Sequence, residues 1–325
     1  LWEANGVQVS NNQAEQIGLR MSPDQNGGAF FAWVDNRFSP NDSNKGSDIY
    51  AQHIDADGGT TFGADGIEID TDKGVQDLPL IKTNSEGDAY IIWSDLKSGS
   101  DIIIEVQKLT TQGVVFTDNG EQVFYGQDGD SYLSSILSTS EGEVLVAFED
   151  QRFHSNLFPG CYTYGLSLDE FSNAASHDDS EVLSLNPYQG PHDQNDWRRG
   201  NLVKSDDAIM MNFTEYATGF SQYVQALDYN GNIIGDSNGT DVDASGGDQP
   251  YSDICEMNNS FYVAFTNVVN GYGIDLQKFD GMGQAVWSSP INVADGSAPF
   301  GDPSFGDNYI KQVVANELNN NLVVI

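Results

Sequence analysis

The sequence predicts an all-β fold, a β-propeller built from four-stranded antiparallel blades. Three observations carry this. Helical periodicity is nearly absent, while short β-branched and aromatic runs recur between turn clusters. An apolar run ending in an aromatic, followed two residues later by a polar or acidic group, appears five times. Its aromatics are Trp33, Trp93, Phe148, Phe213 and Phe265, spaced by 60, 55, 65 and 52 residues, a mean period of 58. A second anchor follows each run, and four strand candidates per repeat with no crossover helix are the mark of a propeller blade.

The four candidates are labelled A to D. Strand A precedes the aromatic run: Gln16 to Met21, Leu78 to Thr83, Ser131 to Leu137, Asn201 to Lys204 and Tyr251 to Glu256. Strand B is the aromatic run itself. Strand C is the second anchor, Tyr50 to Asp55, Val106 to Thr110, Val224 to Asp228 and Leu276 to Asp280, with a degenerate copy at Gly165 to Asp169. Gly58, Gly113, Gly231 and Gly283 each stand three residues past strand C, where a tight hairpin turn needs positive φ. Strand D is the third anchor, Phe62 to Ile67, Phe116 to Gly120 and more loosely Trp287 to Ile291, and Trp2 to Val7 matches it at the start of the chain.

Five complete blades are expected at about residues 13–70, 77–126, 131–185, 198–243 and 249–294 of a single domain, 1–325. A sixth blade is expected from residues 309–325 together with 1–10. The chain stops inside an apolar strand, so it is expected to be part of a longer protein. A string of β-sandwiches is the runner-up; it needs about 90 to 100 residues per unit, which the period does not give.

Of the 325 residues, 49 are acidic and 13 basic, a formal net charge of −36. That excludes a nucleic-acid binder working by phosphate neutralisation, and argues against docking on an anionic membrane. No apolar run reaches the length of a transmembrane helix, so no membrane insertion is expected. The first residues lack the basic and apolar regions of a signal peptide. Cys161 and Cys255 should lie two blades apart and unbonded.

Strand B ends place Asp35, Asp95, Asp150 and Glu215 at equivalent positions, with Asn267 in the fifth copy. They are expected to circle an axial channel as a ring of carboxylates. Such a ring offers a cation site or an acid/base pair for glycoside cleavage; the plainer reading is that each carboxylate caps backbone N–H groups at a strand end. Three insertions break the symmetry. They carry Arg37, then Arg152, then Tyr188, His192, Trp197, Arg198 and Arg199. Aromatic and arginine side chains together suit a glycan or protein contact surface; packing between blades is the alternative for Trp197. The turns at Asp24, Asp55 and Asp228 begin like calcium loops but lack the later ligands, so hairpin turns are expected. No cofactor is required, and calcium is a candidate ligand. No nucleophile elbow, zinc spacing or phosphate loop occurs.

Trp2 to Val7, Trp33 to Arg37 and Asp48 to Gly58 together resemble the repeats of large secreted or surface β-propeller proteins exported by the bacterial type IX secretion system. The likeness is close in the first blade, fair in the second and fifth, and weak in the third and fourth. It implies an extracellular or cell-surface protein that meets the secretion machinery during export, with a sorting domain beyond these residues; it carries over no catalytic residue. The expected function is a binding or adhesion module for a glycan, surface polymer or protein. A glycan-active hydrolase or lyase using the carboxylates, and an architectural spacer, are the alternatives.

Overall fold

The computed structural model describes residues 5–38, 46–97, 102–116, 119–122, 131–139, 144–150, 162–168, 181–182, 201–216, 220–229, 231–244, 246, 249, 251–267, 273–294, 313–316 and 321–324. Among them all regular structure is β, and no helix is long and apolar enough to cross a membrane. The chain forms two compact units, residues 1–152 with 166–180, and residues 153–165 with 181–325.

The first sheet runs in chain order through β1 (Gln16–Pro23), β2 (Ala29–Asp35), β3 (Asp48–Ile54) and β4 (Ile67–Asp70). The second runs through β5 (Gly74–Thr83), β6 (Ala89–Lys97), β7 (Ile102–Thr110) and β8 (Gly113–Val114), with β9 (Glu121–Gln122) also on β7. The third is β10 (Ser131–Ser138), β11 (Val144–Asp150), β12 (Tyr162–Leu168) and β13 (Glu181–Val182). In the second unit come β14 (Leu202–Lys204), β15 (Ile209–Tyr216), β16 (Phe220–Leu227) and β17 (Thr240–Asp241). They are followed by β18 (Ser252–Glu256), β19 (Phe261–Asn267), β20 (Gly273–Phe279) and β21 (Ile291–Ala294), then a pair, β22 (Val313–Asn316) and β23 (Asn321–Val324). Neighbouring strands are antiparallel, as consecutive strands joined by short turns must be.

The turns explain why the sequence doubles back where it does. Gly58, Gly113, Gly231 and Gly283 all have positive φ. The Asp-rich turns close hairpins through their own carboxylates: Asp24 Oδ1 accepts from Asn26 N at 2.7 Å and Gly28 N at 2.8 Å. Asp55 Oδ1 does the same for Asp57 and Gly59, and Asp228 Oδ1 accepts from Asn232 N. Asp24 Oδ2 also meets His53 Nε2 at 2.9 Å, and His53 is buried beside the Phe30 ring.

Second strands are buried on both faces, which is why they read as continuous apolar runs rather than alternating ones. Phe30, Ala32 and Val34 of β2 pack against Ile81, Ile91 and Trp93 of the second sheet. On the other side of β2, Phe31 and Trp33 pack with Val7 and Val9. The second unit repeats the arrangement, with Met210, Val224 and Val242 against Ile254, Val263 and Phe265. Sheets therefore stack face to face within each unit, and the apolar core is the set of layers between them. Cys255 is a free, buried thiol in one such layer; Cys161 lies outside the described residues.

Candidate functional site in the strand-end cradles and a polar cleft

One local arrangement recurs at the ends of the second strands β2, β6, β15 and β19. The aromatic on that strand faces a residue of the third strand: Trp33 pairs with Tyr50, Trp93 with Glu105, Phe213 with Tyr223 and Phe265 with Asp275. In three of these copies a glycine opens the segment leading to the fourth strand and lies against that aromatic. A Cβ on Gly66 (φ +79) would come within 2.7 Å of the Trp33 ring and 2.5 Å of Ala51 O. Gly120 meets Trp93, and Gly239 meets Phe213, in the same way. Two residues past the aromatic stands the polar group that the sequence singles out.

In the first sheet that group is Asp35, which is fully buried and pinned by its neighbours. It accepts from Trp33 Nε1 at 2.9 Å and from the backbone of Arg37 at 2.9 Å. The Arg37 guanidinium clasps it with two bonds, Nε to Oδ1 at 2.9 Å and Nη2 to Oδ2 at 2.8 Å. Burial works to raise the Asp35 carboxyl, but these bonds outweigh it and hold it below the usual carboxylate range. Arg37 in turn lies over the Tyr50 ring, 3.6 Å from its centroid, and donates to Asp65 O.

The second sheet fills the same positions with acids. Asp95 takes the place of Asp35, Glu105 the place of Tyr50, and Asp70 enters from β4 of the first sheet. All three are buried, and one carboxylate oxygen from each lies within 4.8 Å of the other two. Asp70 accepts from Trp93 Nε1 and from Asp72 N, both at 2.9 Å. Burial raises the Asp70 carboxyl above its ordinary range, against the bonds from Asp72, Glu105 and Trp93. Gln76 Nε2 donates to Asp95 Oδ1 at 2.9 Å.

The second unit shows a third version. Asp243, Asn267 and Asp275 occupy the positions of Asp70, Asp95 and Glu105. Asn267 Nδ2 donates to Asp275 Oδ2 at 2.8 Å and reaches Asp243 Oδ2 at 3.4 Å, so an amide stands between two carboxylates. Asp150 ends β11 and Glu215 lies near the end of β15, but their side chains are outside the described residues, as are Arg152, Tyr188, His192, Trp197, Arg198 and Arg199. Of the residues predicted for contact, Arg37 alone is described, and Asp35 and Asp95 do not reach solvent.

Arg37 also borders a cleft of about 630 Å³ in the first unit. Its walls include Tyr50, Glu68, Thr71, Gln107 and Asn119. Tyr50 Oη donates to Glu68 Oε1 at 3.1 Å, and burial pushes the Tyr50 phenol upward. Asn119 ties the far wall, accepting from Thr71 N at 3.1 Å and donating to Asp72 Oδ1 at 2.9 Å. The sequence points to Arg37 but not to this cleft or to Asp70 and Glu105. The signal was the substitution pattern between repeats: Glu105 where the first and fourth copies hold Tyr50 and Tyr223, and Asp95 facing two more acids.

No family model matches the sequence, and no curated protein matches it. Solved structures do. A protein of unknown function from Dyadobacter fermentans is 10% identical, with 89% of this chain and 85% of that one covered, at a TM-score of 0.48. A puromycin hydrolase is 12% identical over 96% of this chain, which spans 43% of the hydrolase, at 0.49. An ulvan lyase is 10% identical over 83% of this chain and 66% of the lyase, at 0.49. Nothing about this chain's activity follows from likenesses of that size.

Proposed function

We propose that the chain is an extracellular or cell-surface binding module whose ligand is a glycan or a hydroxyl-rich surface polymer. The observation that carries this reading is the polar cleft beside Arg37. A guanidinium, a carboxylate, two amides and two hydroxyls line about 630 Å³, a donor and acceptor set suited to sugar hydroxyls. Among the described residues lining the cleft, Glu68 is the one carboxylate. Glycoside hydrolysis by the usual route needs two, which favours binding over cleavage. The stacked four-stranded sheets are read here as propeller blades, six with the composite last one, and export by type IX secretion remains part of the proposal. The segments carrying Arg152, Tyr188, His192, Trp197, Arg198 and Arg199 are proposed as further ligand contacts.

A glycan array, followed by polymer pull-down, tests the reading with the variants Glu68→Ala and Thr71→Ala. Both are expected to lose at least tenfold in affinity at unchanged melting temperature. Alanine at Tyr188 and Trp197 tests the loops in the same assay. Binding that is indifferent to all four changes removes the cleft and the loops from consideration. Turnover of a bound glycan moves the assignment to a hydrolase or lyase.

A further inference from the structure

We propose that the Asp70–Asp95–Glu105 cradle is a binding site for one hard divalent cation, calcium by its donor set, which pins the first sheet to the second. The three carboxylates come from β4, β6 and β7, strands of two different sheets. Asp70 and Asp95 are fully buried and Glu105 is 3% exposed. Calcium takes oxygen donors at about 2.3–2.6 Å, so donors on opposite sides of the ion lie about 4.6–5.2 Å apart. One carboxylate oxygen from each lies within 4.8 Å of the other two, close enough for a single ion to bridge all three. The donors are all oxygen, with no imidazole or thiolate, which disfavours zinc and copper. Magnesium dehydrates reluctantly and keeps several waters, which a site this buried disfavours.

An independent observation points the same way. Gln76 is fully buried, and its amide sits at the cradle because Nε2 donates to Asp95. Its Oε1 has no hydrogen-bond partner. A buried amide oxygen without a partner is unfavourable, and it is a good fourth donor to calcium. In the second unit, Gln249 stands at the matching position and its Oε1 accepts from Gln222 N at 3.0 Å. The packing beside the amide is close: a Cβ on Gly74 would lie 2.8 Å from Asp95 Oδ1 and 3.0 Å from Gln76 Nε2, so glycine fits there.

The other two described copies fill the matching positions differently. In the first sheet Arg37 answers Asp35, with Asp48 opposite it on β3. The second unit keeps two carboxylates and places the Asn267 amide between them. The second sheet alone, among the described copies, gathers three acids and an amide oxygen that accepts nothing. The ion would tie Asp70 of the first sheet to Asp95 and Glu105 of the second, next to Thr71 and Gln107 on the cleft wall.

The full chain is refolded once with a chelator and once with calcium chloride, since so buried a site loads during folding. Bound metal is counted after gel filtration, and unfolding is followed by heat. One calcium per chain is expected, with a melting temperature about 5–10 °C higher at free calcium near 100 times Kd. Asp95→Asn copies the Asp–Asn–Asp set of the second unit. It is expected to fold, to bind no calcium, and to melt above the metal-free native chain. Terbium emission excited through tryptophan gives a second readout, because the Trp93 indole lies on Asp70; it is expected in the native chain and lost in Asp95→Asn. Lys97 follows Asp95 at the spacing of Arg37 from Asp35. A chain indifferent to calcium but destabilised by Lys97→Met overturns the proposal in favour of a lysine counterion. A melting temperature that climbs as pH falls, with no calcium response, overturns it in favour of a shared proton.

Discussion

Replacing Arg37 with methionine separates a structural ion pair from a decorative one. Methionine keeps the aliphatic packing over Tyr50 and removes the charge. The Asp35 side chain is 0% exposed and that of Arg37 12%, so the pair belongs with buried bridges rather than surface ones. Removing one partner of a buried bridge costs about 3–5 kcal/mol, against about 0–1 for an exposed pair. Asp35 retains bonds from Trp33 Nε1 and the backbone at position 37, so the lower figure, about 3 kcal/mol, is expected. In a unit of 150 to 250 residues that lowers the melting temperature by about 6–12 °C. Arg37→Lys keeps the charge but loses the second bond and the Asp65 carbonyl, and should fall between. Asp35→Asn combined with Arg37→Met should cost less than the two single changes added, because no buried charge is stranded. The acid limb provides a second check. The folded Asp35 carboxyl lies below its unfolded value near 3.8, so its contribution is present above about pH 4 and is lost as pH falls through the folded value. Without Arg37 the folded value rises and acid unfolding begins at higher pH. A loss under about 1 kcal/mol together with an unmoved acid limb would refute the buried-bridge account.

Gly66→Ala should cost at least about 3 kcal/mol, since it adds a clash with Trp33 and Ala51 O to the strain of positive φ. Gly63→Ala, with φ +78 and nothing within 4 Å of the added carbon, isolates the strain and should cost about 1 kcal/mol. Equal losses in the two by urea unfolding would mean that the ring contact contributes nothing. Burial, aided by Asp253 and Glu256, pushes the Cys255 thiol up to about 12. In a Cys161→Ser background, Cys255 should resist iodoacetamide at pH 8 and react fully once unfolded. Rapid labelling of the native chain would show that the thiol is neither buried nor neutral.

The four-strand rhythm is legible because it is written in local chemistry. Aromatics close the second strands, and glycines at 58, 113, 231 and 283 turn the chain after the third, all at positive φ. The Asp turns are legible as hairpins for the same reason: each carboxylate bonds backbone within four residues of itself. The acid cradle is not local. Asp70, Asp95 and Glu105 span 35 positions and three strands, and no spacing along one strand predicts their meeting. It emerges only when repeats are overlaid and their differences compared. Arg37 shows the reverse difficulty. Its loop position suggested an exposed contact, whereas its main partner stands two residues earlier and is buried.

Trp93 donates to Asp70 across the gap between sheets, and Asn267 reaches back to Asp243 in the same way. The cooperative unit is therefore out of phase with the sheet. A segment cut at a sheet boundary carries away one half of a cradle and leaves the other behind. A segment cut inside the third-to-fourth strand connection, near Gly66 or Gly239, keeps a last strand with the sheet it serves. Duplication, deletion or grafting of one repeat in this chain should succeed in that second frame and fail in the first, whatever the sheets suggest as natural borders.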